Sequence, residues 1–132
     1  MVKTVRRGEL GQSMVEFALV LPLLLVVLVG VVQFALAYHA RDVATTAVQE
    51  GARLAAAEGR TPAEGAARAR EVLESGLGKT GTGFTVTAQD DGEIVIVETA
   101  GDYPLFIPWL AGRSVEIEAE SGVHKEGFRS GP

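Results

Sequence analysis

The sequence predicts an α+β protein: a long N-terminal helix, a second helix and a small antiparallel three-stranded sheet. Three observations lead there. An uncharged apolar run from Phe17 to Ala40 is too long for a strand and too continuous for a loop. Alanine-rich sequence with helical spacing follows it as far as residue 77. Beyond Phe84, apolar and polar residues alternate in three short segments, the period of half-buried strands.

Length and charge bound the rest. At 132 residues the chain has room for one domain. If residues 1–40 are set aside, the folded part is near the lower size limit for a single core. The net charge of −5 is unevenly spread, with Lys3, Arg6 and Arg7 opposed only by Glu9 and Glu16 ahead of the apolar run. An acidic outer part with few aromatics has no electrostatic footprint for nucleic acid. The absence of cysteine excludes a disulfide scaffold, a thiolate metal site and thiol catalysis.

From Phe17 to Ala37 there are 21 residues, about 31 Å as a helix. That matches a hydrocarbon core of about 30 Å, so the run is expected to cross a membrane once. Tyr38 and His39 follow at the interface, where half-polar rings are expected. Lys3, Arg6 and Arg7 should hold the N-terminus in the cytoplasm and send residues 41–132 outside. Two other readings stay open. The segment "ALAYHA" could be a signal-peptide end, cut after Ala37 to release a soluble domain. The span could also be an unprocessed anchor displaying a binding domain.

Glu16 stands directly against the apolar run. An acid at the edge of a span is unfavourable in lipid and is a functional candidate, although a carboxylate near a helix N-terminus also gains about 0.3–1 kcal/mol from the macrodipole. The macrodipole does not account for Gly11, five residues earlier.

The stretch "GQSMVEFALVLP" resembles the processing motif of pilin-like proteins, and specifically of the TadE-like minor pseudopilins of tight-adherence (Flp-type) pili. The resemblance covers roughly residues 8–57. It implies that a prepilin peptidase cuts after Gly11, making Gln12 the new N-terminus, with Glu16, Phe17 and Pro22 on the glutamate, aromatic and proline positions. It also implies other pilins and pseudopilins, the inner-membrane assembly platform and the membrane as partners, and a place in the bacterial inner membrane or an extracellular pilus. Physical chemistry agrees with those residue types. Gly11 puts no side chain in the way of an extended scissile segment. The cut would remove all three topogenic cations and create an ammonium at Gln12. That ammonium and a Glu16 carboxylate of a neighbouring subunit would compensate each other's burial in a helix bundle.

Pro22 lacks the N–H that would reach Ala18, so the helix can loosen there. A stripe at alternating three- and four-residue steps runs from Glu16 through Leu19, Leu23, Val26, Gly30, Gln33, Ala37, Ala40, Ala44, Ala47 and Gly51 to Leu54. Its later members are small, so Gly30, Ala37, Ala44 and Gly51 mark a seam for close packing against another helix.

The expected divisions are a leader at 1–11, a pilin-like helix at 12–59 and an extracytoplasmic α+β domain at 60–121. A disordered tail is expected at 122–132. Thr61-Pro62-Ala63-Glu64 has the form of a capping box, opening a second helix with Ala66, Ala69 or Arg70, Leu73 and Leu77 inward. "GLGKTG" lacks the first glycine of a phosphate loop, since Leu73 occupies that position, and is expected to be a linker. "FTVTA" and "EIVIVETA" are joined through an Asp-Gly turn and predict a hairpin. "SVEIEAES" predicts a third strand with Val115, Ile117 and Ala119 inward and Glu116, Glu118 and Glu120 solvated. The segment "GDYPLFIPWLAG" carries two prolines and the single tryptophan, and is expected to be irregular and to plug the core, the alternative being an apolar patch for a partner or the membrane surface. His39 and His124 have no serine–acid or metal-ligand constellation around them. No enzymatic activity, cofactor, metal or small-molecule substrate is expected.

Overall fold

The computed structural model describes residues 7–106 and 112–125. Helix α1 (Arg7–Ala56) is one unbroken element that includes Pro22. At 1.5 Å per residue its 50 residues extend about 75 Å. It is followed by α2 (Pro62–Leu77), a single-turn α3 (Lys79–Thr82), and strands β1 (Thr85–Asp90), β2 (Ile94–Pro104) and β3 (Ser114–His124). The strands form an antiparallel sheet in the order β1-β2-β3. The α+β architecture expected from the sequence is the one observed.

The chain leaves α1 through Gly59, whose φ of 76° suits a residue without a Cβ. The capping box then starts α2: Thr61 Oγ1 accepts the Glu64 N–H, and a Glu64 carboxylate oxygen accepts the Thr61 N–H. These bonds satisfy donors that every helix start leaves orphaned. Gly65, Ala66, Ala69 and Leu73 are the buried face of α2, while Arg70 is exposed and its guanidinium donates to the Val86 carbonyl on β1.

One face of the sheet carries the helices. Ala40, Ala44, Ala47, Val48, Ala52, Ala55 and Ala56 of α1 meet Ala66, Ala69 and Leu73 of α2 and Phe84, Val86, Val95, Val97 and Ile117 of the sheet layer. Alanine dominates because the helices are in near backbone contact. A Cβ placed on Gly51 would lie 2.6 Å from the Gly65 carbonyl oxygen, and one on Gly65 would lie 2.5 Å from the Ala55 Cβ. Within the sheet the buried Thr99 hydroxyl donates to the Thr85 carbonyl, so no polar cost is left there. The β1–β2 turn is held by Asp90 and Asp91, which accept from Gly92, Glu93 and Ile94 N–H groups. Gly92 supplies a φ of 103°.

Several expectations are corrected. α1 stops at Ala56, three residues short of Gly59. The "GLGKTG" linker contains the α3 turn, because Thr80 and Gly81 carbonyls accept from the residues just beyond and close a helical turn. Strand β2 runs on through Gly101–Pro104, the start of the segment expected to be irregular; Pro104 closes the strand, where a missing N–H costs least. Strand β3 continues through Gly122–His124, into the stretch expected to be a tail. The reason is that β2 offers pairing partners as far as Ile94, and Lys125 then pairs with Asp90. Phe106 is 67% exposed, so it does not plug the core. Trp109, the first six residues of the expected leader and residues 126–132 of the expected tail lie outside the described residues.

Candidate processing and assembly site

Gly11, Gln12, Glu16, Phe17 and Pro22 lie on the free half of α1, and all of them are exposed. The first buried residue along the helix is Gln33. It lies about 26 Å beyond Glu16 along the axis. The most apolar window of the helix has a mean hydropathy of 2.8 and none of it is buried. A core helix of a soluble protein would bury that window, so the exposed apolar surface needs a non-aqueous partner. Leu10, Met14, Val15 and Phe17 continue the apolar surface around Glu16.

The geometry at the motif is open. A Cβ at Gly11 would meet nothing within 4 Å, so steric room alone does not require glycine in this helical form. Gln12 and Glu16 are one turn apart on the same helix face, about 6 Å along the axis. Among the described residues Glu16 has no ion-pair partner within reach.

The small-residue stripe divides in two. Gly30 is exposed, with no atom within 4 Å of its Cβ position, and Ala37 is half-buried. Ala44 and Gly51 are buried inside the domain, Gly51 against Gly65 and Ala69 of α2. The helix packing at Gly51 is therefore within one chain. The physical reason is position along the axis: the domain packs beside α1 only from about Gln33 onward, and Gly30 lies before that reach. Over the distance from Glu16 to Gln33, Glu16 ends up about 100° around the axis from the buried face.

Elsewhere the charged groups serve the domain. Glu50 on α1 accepts two bonds from the Arg68 guanidinium on α2, the shorter 2.7 Å, and Glu71 adds a third contact. These contacts raise the Arg68 pKa, chiefly through the Glu50 bond. Asp90 is held below the ordinary carboxylate value by its Lys125 bond and then by the Gly92 N–H, and Asp91 is lowered by the Ile94 and Glu93 N–H groups. On the outer sheet face Glu116 is raised, first by sharing a hydrogen bond with Glu118 and then by repulsion from Glu118 and Asp102. Among the described residues no group of His, Cys, Asp or Glu is arranged to hold a metal ion.

One participant was missed from the sequence. Gln33 is buried, and its side-chain oxygen accepts the Phe106 N–H at 2.9 Å. A lone carboxamide in an apolar run was the available signal, since such a group needs a partner away from water.

No curated protein and no solved structure is similar enough to this chain to count as a match. A family model does match, over residues 11–53, beginning at Gly11 and ending just beyond Gly51. It takes in the exposed apolar helix, Glu16 and the start of the packed alanine face, and its description is "TadE-like protein". With Gly11, Glu16 and the uncovered apolar helix all inside that match, residues 11–53 are similar to the TadE-like family of the Tad pilus system.

Proposed function

We propose that this protein is a minor pilin-like subunit used in assembly of a Tad (Flp-type) pilus. It is made as a single-pass precursor of the bacterial inner membrane, with the N-terminus inside and the α+β domain outside. A prepilin peptidase cuts between Gly11 and Gln12. The observation that carries this reading is a fully exposed apolar helix half bearing Gly11 and Glu16 at the pilin spacing, in a TadE-like segment. The helix lies in the bilayer before assembly and against other pilins and pseudopilins afterwards. Glu16 meets the Gln12 ammonium of a neighbouring subunit when the helix leaves lipid for the bundle, where an uncompensated charge would be costly. Export proceeds through the inner-membrane assembly platform. The protein has no catalytic role of its own, and its contribution to adhesion is as part of the filament or its machinery.

The rival in which a signal peptidase cuts after Ala37 is disfavoured by Gln33. That cut would strip from the domain a buried residue bonded to Phe106. The deciding measurement is the intact mass of the membrane-extracted protein, with and without co-expressed prepilin peptidase. A chain beginning at Gln12 only when the peptidase is present is the expected result. A start at Tyr38, or a persistent Met1 in its presence, refutes the proposal.

A further inference from the structure

The domain does not simply follow the apolar span; it touches it. Gln33 is the one carboxamide between Phe17 and Ala40, and it is buried while Val31, Val32 and Phe34 beside it are exposed. The Gln33 side-chain oxygen accepts the Phe106 N–H, just beyond β2. That contact lies about 6 Å inside the end of the span if the span ends at Ala37. Neither group can turn to water at that depth, so each satisfies the other.

The surroundings fit the same level. Phe106 is 67% exposed, and Phe34, Tyr38 and Val115 also present apolar surface outward. One step away from the span the chemistry changes. Arg41 on α1 and Glu116 and Glu118 on β3 line a groove together with Phe34, Tyr38 and Val115. The carbonyl of Arg113, a residue exposed just ahead of β3, accepts the Leu105 N–H beside Phe106, so aromatic rings and an arginine stand at one level. Aromatic rings with a flanking arginine suit a membrane–water boundary, with a tyrosine at the transition.

We infer that Phe106 and Val115, together with Phe34 and Tyr38, sit in the interfacial layer of the bilayer on the domain's side. The domain is then seated on the membrane, with the Gln33–Phe106 bond setting its height, rather than suspended above it on the helix. This rests on the reading of Phe17–Ala37 as a span.

The chain has no cysteine, so a single introduced thiol can be labelled cleanly. Phe106→Cys in the full chain, carrying a polarity-sensitive fluorophore, is reconstituted into phosphatidylethanolamine–phosphatidylglycerol vesicles. Matched samples carry the label at Val27→Cys, in mid-span, or at Thr87→Cys, on the exposed outer face of β1. Because Phe106 is exposed, its replacement leaves the core intact. Headgroup-level nitroxide lipids should quench the label at 106 strongly, and aqueous iodide should quench it several-fold less than the label at 87. If the label at 106 is as open to iodide as that at 87, or is shielded from lipid and iodide alike by a second protein copy, the inference is overturned. If the label at 27 is also untouched by lipids carrying the nitroxide at the acyl-chain end, the span itself is wrong and the inference falls with it; quenching at 27 by those lipids, with none at 106 by headgroup nitroxides, confines the failure to the seating of the domain.

Discussion

Gly51→Leu is expected to loosen the domain, although leucine is the better helix former. Position 51 faces the backbone of α2, where a Cβ would stand 2.6 Å from the Gly65 carbonyl oxygen and 3.1 Å from the Ala69 Cβ. Ordinary contact needs 3.4 Å or more, so the helices must part by close to an ångström even before the rest of the side chain is placed. Parting them withdraws Ala47, Ala55, Ala66 and Ala69 from a core that has few larger side chains to fill the gap. Overpacking of this kind costs about 1–3 kcal/mol, and contact with rigid backbone puts this case at the upper end. Replacing glycine in a helix returns about 0.8 kcal/mol. The net loss is then about 2 kcal/mol, or roughly 8–16 °C in the melting temperature of so small a domain. The assay is thermal unfolding of the detergent-solubilised full chain, followed by circular dichroism in the strand region. Gly30→Leu is the matched comparison, because it lies on the same stripe with nothing within 4 Å and should leave the transition unchanged. If Gly51→Leu melts with Gly30→Leu and the parent protein, the α1–α2 contact does not hold the domain together as described.

Gly11→Val should still insert in membranes, since the span and its flanking cations are unaltered, but should accumulate at precursor mass when the peptidase is present. Glu16→Gln should be trimmed normally and yet fail in crosslinking to other pilins and in piliation, because losing one member of a buried pair costs about 3–5 kcal/mol; wild-type pilus counts would reduce Glu16 to a helix-end charge. Thr61→Ala removes the acceptor for the Glu64 N–H and should cost about 1 kcal/mol in the same melting assay. The pH dependence has two windows of opposite sign. Glu116 binds its proton more tightly folded than unfolded, so stability should rise as pH falls from neutrality into the usual carboxylate range near 4, and Glu116→Gln should flatten that rise. Asp90 and Asp91 bind protons less tightly folded, so their contribution is present above that range and is lost as pH falls through their lowered pKa values; a melting temperature that is flat across both windows would contradict these contacts.

Local chemistry was enough for much of this protein. The long apolar helix follows from an unbroken uncharged run, and the α2 start from Thr61 and Glu64 three residues apart. The hairpin follows from Asp91-Gly92 between β-branched runs. Each signal lies within one turn or one element, so neighbouring residues suffice to carry it. What needed the tertiary structure was where elements end and which surfaces meet. Strand lengths depend on a partner: β2 and β3 extend each other past Gly101 and Gly122, and neither segment shows its pairing in isolation. The stripe through Gly30 and Gly51 reads as one feature along the chain. Only the packing separates them, because the reach of α2 along the helix decides that Gly51 is enclosed while Gly30 remains bare. The same holds for Gln33, whose partner Phe106 is 73 residues away. Its polarity was legible, but a contact over that distance is determined by the folded domain bringing the end of β2 back to the helix.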